Sequence, residues 1–332
     1  MRVLIIVNAY SINPNIKSII LKISLLRGYY LDFFIAGFAI YDNYSIEELN
    51  LSMNYLKEEL SKRNIEADIL DAISLLPFTN GNDIFIKSID KYDFAINLDK
   101  DGYLSQAIEK IIPIYNNYSS LRLSDDKMLT ILALKNSNIN APLTVSAPLC
   151  YVDNPDKEIV RRFLDQVEER LSYPLVFKEC HGSLGRQVKL INNREELEKV
   201  YYSHIQIPHL YEEFLKKNKG HDYRIMVIDN KVVAAMERIN ENDFRSNIAL
   251  GGKGYDVTKT ISEEYKKLAI DACIALGLDY AGIDVGISDD DKPCFIEANS
   301  NAFFTEIEKV TGINITGLLV EYLLKKYKTK KY

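Results

Sequence analysis

Cysteine is scarce in this sequence, and its four copies never come close together. Cys150, Cys180, Cys273 and Cys294 are scattered through 332 residues without a CxxC pair. That excludes a disulfide framework and a cysteine zinc site, and it fits a reducing cytosol. The four histidines form no HxH or HExxH pattern, and His204 and His209 read as surface residues of a loop. Basic surplus is missing too. Lys and Arg number 41 against 47 Asp and Glu, for a net charge of −6 and an isoelectric point near 5.5. A general nucleic-acid binder needs the opposite balance to displace counterions. The Lys-rich end (Lys325, Lys326, Lys328, Lys330, Lys331) reads as a solvated helix terminus. No apolar run in the first sixty residues is long enough to span a membrane. The longest uncharged stretch there that is apolar enough to mimic a span, Phe33 to Tyr41, has nine residues, against the roughly twenty a span needs. The opening Met1–Asn8 is too short for a signal peptide and lacks a small-residue cleavage site. With 15 Gly, 9 Pro, 47% hydrophobic and 27% charged residues, disorder, collagen and low complexity are excluded. The expectation is a soluble, cytoplasmic globular protein with no membrane or nucleic-acid partner.

The length predicts two or three domains. Val3 to Val7 is a continuous β-branched and aliphatic run, the pattern of a parallel strand buried on both faces. A helix is expected at about Asn15 to Arg27. The aromatic stretch from Tyr29 to Tyr44 reads as core or subunit-interface packing rather than a substrate wall. Ser45 and Glu48 make a capping box for a helix with an Ile46, Leu49, Met53, Leu56, Leu60 stripe. Strands at Ile65–Leu70, Phe94–Leu98 and Ile111–Tyr115 alternate with helices, which indicates a small open α/β domain. Ser124 then caps a helix carrying Asp126 and Lys127, ended by Ile139–Pro142. Beyond a helix at Lys157–Leu171 the strands come in hairpins: Pro174–Glu179 with Gln187–Ile191, and Tyr223–Ile228 with Lys231–Arg238 around Asp229-Asn230. A helix at Glu263–Leu276, strands at Ala281–Ile287 and Pro293–Ala298, and a last helix at Asn314–Lys326 complete an α+β second part.

Four segments carry chemistry. Lys178 stands at a strand end before Gly182, Ser183 and Gly185. Glycines let backbone N–H groups approach an anion, and the lysine adds a point charge suited to phosphate. Neither GxxxxGK[ST] nor GxGxxG is present, so this is no P-loop or Rossmann fingerprint, and a plain hairpin turn fits as well. Asp284 lies on one strand, and Glu297 and Asn299 share a face of the next by period-two alternation. Two carboxylates and an amide oxygen are hard ligands that suit Mg²⁺. Arg245 and Asn247 precede a glycine-rich stretch, Gly251 to Gly254, where an arginine can clamp a phosphoryl group or an oxyanion. Glu213 and Phe214, then Asp222, offer an extended edge for adenine and an acid for ribose, though a strand and turn explain them equally.

In this order and spacing the four segments resemble the ATP-grasp superfamily, specifically its RimK-like branch of glutamate and amino-acid ligases. The resemblance runs from about Ser124 to Ile315. It includes Asp222-Tyr223-Arg224, Val232–Arg238, Asp243–Asn247 and Thr311-Gly312-Ile313-Asn314. It implies an ATP-grasp fold, α/β and α+β, in three units: an N-terminal open α/β domain over 1–120, a linker helix and central subdomain over 121–212, and a C-terminal subdomain with the metal site over 213–332. It also implies roles. Lys127 and Lys178 match the two phosphate lysines, Glu213 and Phe214 the adenine hinge, Asp222 a further nucleotide contact, and Arg245 and Asn247 the pair near the γ-phosphate. Asp284, Glu297 and Asn299 match the metal ligands, with Glu297 bridging two Mg²⁺, which Mn²⁺ is able to replace. Two departures bear on the substrate. Asn299-Ser300-Asn301-Ala302-Phe303-Phe304 stands where many relatives read Asn-x-Ser-Pro-Gly, and Arg186 stands where glycine is frequent. Phe303 and Phe304 either pack under the loop or line the pocket. The implied activity is ATP-dependent amide formation from a small-molecule or peptide carboxylate and amine, in a homodimer or homotetramer. The alternatives are a small-molecule kinase acting on a hydroxyl and a non-catalytic nucleotide-binding subunit.

Overall fold

A computed structural model describes residues 1–7, 43–152, 154–182 and 185–330. The helix expected at Asn15–Arg27, most of the aromatic stretch and Ser183 lie outside the described residues.

The first sheet is parallel and four-stranded, in the order β2 (Glu66–Asp71), β1 (Arg2–Val7), β5 (Phe94–Asn97), β6 (Ile114–Tyr115). Two short strands, β3 (Phe78–Thr79) and β4 (Ile84–Phe85), pair beside it. The apolar run of β1 is buried throughout, as a strand covered on both faces must be. Val3, Ile5 and Val7 enter one core, with helix α1 (Asn43–Ser61), while Leu4 and Ile6 enter another, with Leu104, Ile108 and Ile112. The strand read as Ile111–Tyr115 is only two residues long. Helix α1 begins at Asn43, so Ser45 lies within it and is not its cap.

Between the sheets, α2 (Gly102–Glu109) is followed by α3 (Tyr118–Asp125) and α4 (Lys127–Ala133). Ser124 is the wrong cap. It is buried near the end of α3 and donates to the Leu121 carbonyl, whereas the Asp126 side chain accepts from the Met128 and Leu129 amides. A carboxylate that takes two free N–H groups of a first turn is a strong start for a helix, and it makes Lys127 the first residue of α4.

The second sheet runs β7 (Thr144–Ser146), β10 (His209–Glu213), β8 (Leu175–Glu179), β9 (Val188–Ile191), all antiparallel. Helices α5 (Lys157–Glu168) and α6 (Arg194–His204) cover one face, with Leu164, Leu197 and Tyr201 against Phe177 and Tyr211. His204 ends α6 and His209 begins β10, so neither is in a loop. His209 is buried, with Nδ1 against the Ile207 carbonyl and Nε2 against the Tyr211 hydroxyl.

The third sheet is antiparallel and five-stranded: β13 (Lys253–Asp256), β12 (Lys231–Ile239), β11 (His221–Ile228), β14 (Tyr280–Ile287), β15 (Pro293–Asn299). Asp229 and Asn230, at φ 53° and 56°, form the expected two-residue turn. Helix α7 (Glu263–Leu276) packs on one face and stops at Gly277, whose φ of 67° satisfies a C-terminal cap. The other face shares its core with the first sheet through α1, α8 (Thr305–Thr311) and α9 (Ile315–Lys330). Asn116 joins the two, donating to the Tyr280 and Ser300 carbonyls.

Candidate active site

The second and third sheets face each other across a cleft. Its empty space, mouth included, is about 900 Å³. β8 and β9 contribute Val176, Lys178 and Val188, and the end of β10 with the residues just after it contributes Glu213, Phe214 and Leu215. From the third sheet come Asp222, Arg238, Asp284, Ile296 and Glu297. Lys127, Gly182, Gly185, Arg245 and Asn247 also line it. Thus eleven of the thirteen residues singled out from sequence for binding or catalysis share one cavity wall. Ser183 is not described. Asn299 is absent from the lining and lies one step along β15, its amide 3.5 Å from the Gly282 carbonyl.

Each lysine is held by a carboxylate. Lys178 is almost wholly buried, and its Nζ lies 2.5 Å from Glu212 Oε2, also buried. Glu212 was not singled out from sequence. Lys127 Nζ is 3.2 Å from the Gly182 carbonyl and 3.3 Å from Glu297 Oε1. Its own amide donates to the Cys180 carbonyl at 3.0 Å. Gly185 has no room for a side chain. A Cβ at Gly185, where φ is 71°, would meet Asn247 Oδ1 at 2.8 Å. Arg245 stands over the same turn, donating to the Gly185 carbonyl and, by Nε and Nη2, to Asp243 at 3.0 and 2.7 Å.

The floor of the cleft is a buried ionic chain. Arg238 grips Asp222 with two hydrogen bonds of 2.7 and 2.6 Å, and its Nη2 is 3.0 Å from Asp284 Oδ2. Arg224 grips Asp284 from the other side through Nε and Nη2. Burial alone would raise the Asp284 pKa, but the two guanidiniums outweigh it and hold the carboxyl below its ordinary value. From sequence, Arg224 and Arg238 stand out only as members of motifs. Asp284 stands directly opposite Glu297 in the β14–β15 register, so two carboxylates face one cavity from adjacent strands. Such hard oxygens fit Mg²⁺. Among the described residues, no cluster of three His, Cys, Asp or Glu side chains suits a metal. What the two strands bring to the cavity is the acid pair, with the Asn299 amide further along β15.

Cys180 and Cys294 are buried nearby, their thiols pushed up to about 11 and about 12 by burial, so neither is a ready thiolate. Phe304 is fully buried in the core that also holds Tyr280 and Ile307, and Phe303 packs partly against it. Neither lines the cleft, because the loop after β15 turns its apolar side chains under the sheet.

The fold matches the ATP-grasp expectation drawn from the motifs, and comparison with known proteins agrees. The chain belongs to the RimK-like ATP-grasp family, whose model matches residues 124–323. It is 32% identical to a probable alpha-L-glutamate ligase of Shewanella pealeana, over 63% of this chain and 44% of that protein. It is also 32% identical to beta-citrylglutamate synthase B of Homo sapiens, over 48% and 41%. The chain thus spans less than half the length of these two relatives. A solved D-alanine–D-alanine ligase from Bacillus anthracis, in complex with ATP, superposes with a TM-score of 0.66 over 99% of both chains at 16% identity. That likeness shows a shared fold. No helix among the described residues is long and apolar enough to cross a membrane.

Proposed function

We propose that this chain is an ATP-dependent carboxylate–amine ligase. The observation that carries the reading is the convergence of Lys127, Lys178, Arg245, Asp284 and Glu297 on one cleft between two antiparallel sheets. The γ-phosphoryl group passes to a substrate carboxylate, giving an acyl phosphate and ADP. An amine then attacks the acyl carbon and expels phosphate, leaving an amide. Little covalent chemistry falls to the protein, which positions the reactants and compensates charge; the elevated thiol pKa values of Cys180 and Cys294 accord with that.

Glu213 and Phe214 border the adenine, in our reading, and Asp222 acts behind them as one half of the Arg238 pair. Lys127, Lys178 and the backbone at Gly182, Ser183 and Gly185 hold the phosphates. Arg245, beside Asn247, faces the charge that develops on the transferred group. Asp284, Glu297 and Asn299 would hold Mg²⁺, as two ions that Mn²⁺ is able to replace, and the metal when bound supplies positive charge against the phosphates. The substrates are a small-molecule or peptide carboxylate and an amine, and the working form is a homodimer or homotetramer. The three-unit division at 120 and 212 belongs to the same proposal. So does a cytoplasmic location, with which four free thiols are consistent.

Incubation with Mg·ATP, a panel of carboxylic acids and hydroxylamine tests the class. A ligase yields a hydroxamate from its own acid. A stable phosphorylated product from a hydroxyl compound, with no hydroxamate, would make the chain a kinase instead.

A further inference from the structure

The residues that begin α4 and those at the base of the glycine turn are joined at three successive positions. The Lys127 amide donates to the Cys180 carbonyl at 3.0 Å, and the Lys127 ammonium donates to the Gly182 carbonyl at 3.2 Å. Between these two carbonyls stands His181. Its Nδ1 is 3.1 Å from Asp125 Oδ2 and its Nε2 3.7 Å from Asp126 Oδ2. Asp126 is the carboxylate that caps the helix on which Lys127 stands. Asp125 is bound on its other oxygen by Lys100, at 2.7 Å, from the segment just after β5. One imidazole ring therefore meets both aspartates while its backbone neighbours receive both nitrogens of Lys127.

We propose that His181 is a positioning residue for the nucleotide site: its protonated ring clasps Asp125 and Asp126 and so fixes Lys127 against the base of the glycine turn. This rests on the reading of the cleft as a nucleotide site. The charged groups around the ring are Asp125, Asp126 and Lys127, with Lys100 behind Asp125. The hydrogen bond to Asp125 raises the His181 pKa, burial and Lys127 work against it, and Asp126 adds to the rise. The reciprocal effect is seen at Asp125. Burial would raise its pKa, but the His181 hydrogen bond and the Lys100 charge hold it well below the carboxylate range.

The protonated ring is the form that holds both carboxylates, so its hold on Lys127 is present while the ring is charged and is lost as pH rises through its titration. Nucleotide affinity should therefore be higher on the acid side of the His181 titration and weaken above it. The His181 side chain is 58% accessible, so its replacement leaves the fold in place.

The test is calorimetric titration of the full chain with Mg·ADP between about pH 6 and pH 9. Wild type, His181→Gln and His181→Lys are compared, so that the ligand's own titration cancels. Wild-type affinity should fall about three- to tenfold more across the range than that of His181→Gln. His181→Gln should match wild type at the alkaline end and bind more weakly at the acid end. His181→Lys, charged throughout, should stay tight. A histidine with a merely structural role would change the melting temperature and leave the two pH profiles parallel. Parallel profiles overturn the proposal while the nucleotide site stands. A wild-type chain that binds no Mg·ADP at any pH overturns the site reading, and this inference with it.

Discussion

Replacing Arg238 with methionine should weaken the third sheet far more than its single charge suggests. The side chain is 5% accessible and serves two carboxylates, Asp222 and Asp284, themselves 9% and 4% accessible. Asp284 keeps Arg224 when Arg238 is removed. Asp222 loses both of its guanidinium bonds, at 2.7 and 2.6 Å. Leaving one buried carboxylate without its cation costs about 3–5 kcal/mol. At 1.36 kcal/mol per factor of ten, the amides of β11 and β12 should exchange between about a hundred and several thousand times faster. Native-state hydrogen exchange reads this directly and does not need the whole chain to unfold in one step. The cause is charge left behind, so Arg238→Met with Asp222→Asn should regain much of the loss, with a coupling of at least about 2 kcal/mol. Exchange within about threefold of wild type in Arg238→Met would refute the reasoning, because the net loss would then be under about 0.7 kcal/mol. So would a double variant no better than the single one.

Two further outcomes rest on particular side chains. Lys178→Ala should raise the KM for ATP and lower kcat, together about 10- to 100-fold, since a hydrogen bond from a charged group is worth about 1.5–3 kcal/mol; steady-state kinetics showing only one parameter moved would contradict a lysine bound to phosphate throughout. Glu59, where α1 meets the segment before α9, is lowered from 4.5 to about 2, first by its hydrogen bond with Lys62, then by Arg63 and, more weakly, Asn314. A depressed carboxyl stabilises the fold above its unfolded pKa and loses that contribution as pH falls through the folded value. Thermal melts should therefore show stability declining from about pH 4.5 toward pH 2, with a shallower decline in Glu59→Gln, and identical slopes would count against the cluster.

Much of this architecture was legible in the sequence because local pattern and tertiary structure agree. The run at Val3–Val7 is apolar on both faces because two cores claim alternate residues. Asp229-Asn230 tolerates the positive φ a two-residue turn requires, so the second hairpin was readable from its turn. The polar pairings were not legible, and two β-bulges explain why. Counting outward from Asp229-Asn230 places Asp222 opposite Glu237, but the register shifts at Met226/Val227 and the true partner is Arg238. Counting back from Ile287 and Pro293 places Asp284 opposite Ile296, but a shift at Asp284/Val285 brings Glu297 there. A bulge adds one residue to one strand and re-aims every side chain beyond it, and the sequence carries no sure mark of it. Period two was right for Glu297 and Asn299, since both lie beyond the shift. The Ser124 cap failed for a different reason. Asp126 also suits a cap, and α3 had already claimed Ser124.

The central claim is that a substrate carboxylate receives the γ-phosphoryl group in this cleft. Oxygen transfer tests it most directly. The acid found active with hydroxylamine is prepared with ¹⁸O in its carboxylate and turned over with unlabelled Mg·ATP and its amine. The oxygen that attacks phosphorus stays with phosphate when the amine expels it, so each phosphate released should carry one ¹⁸O, read by mass spectrometry. Unlabelled phosphate, with both labelled oxygens retained by the organic substrate, would contradict an acyl phosphate and the account built on it.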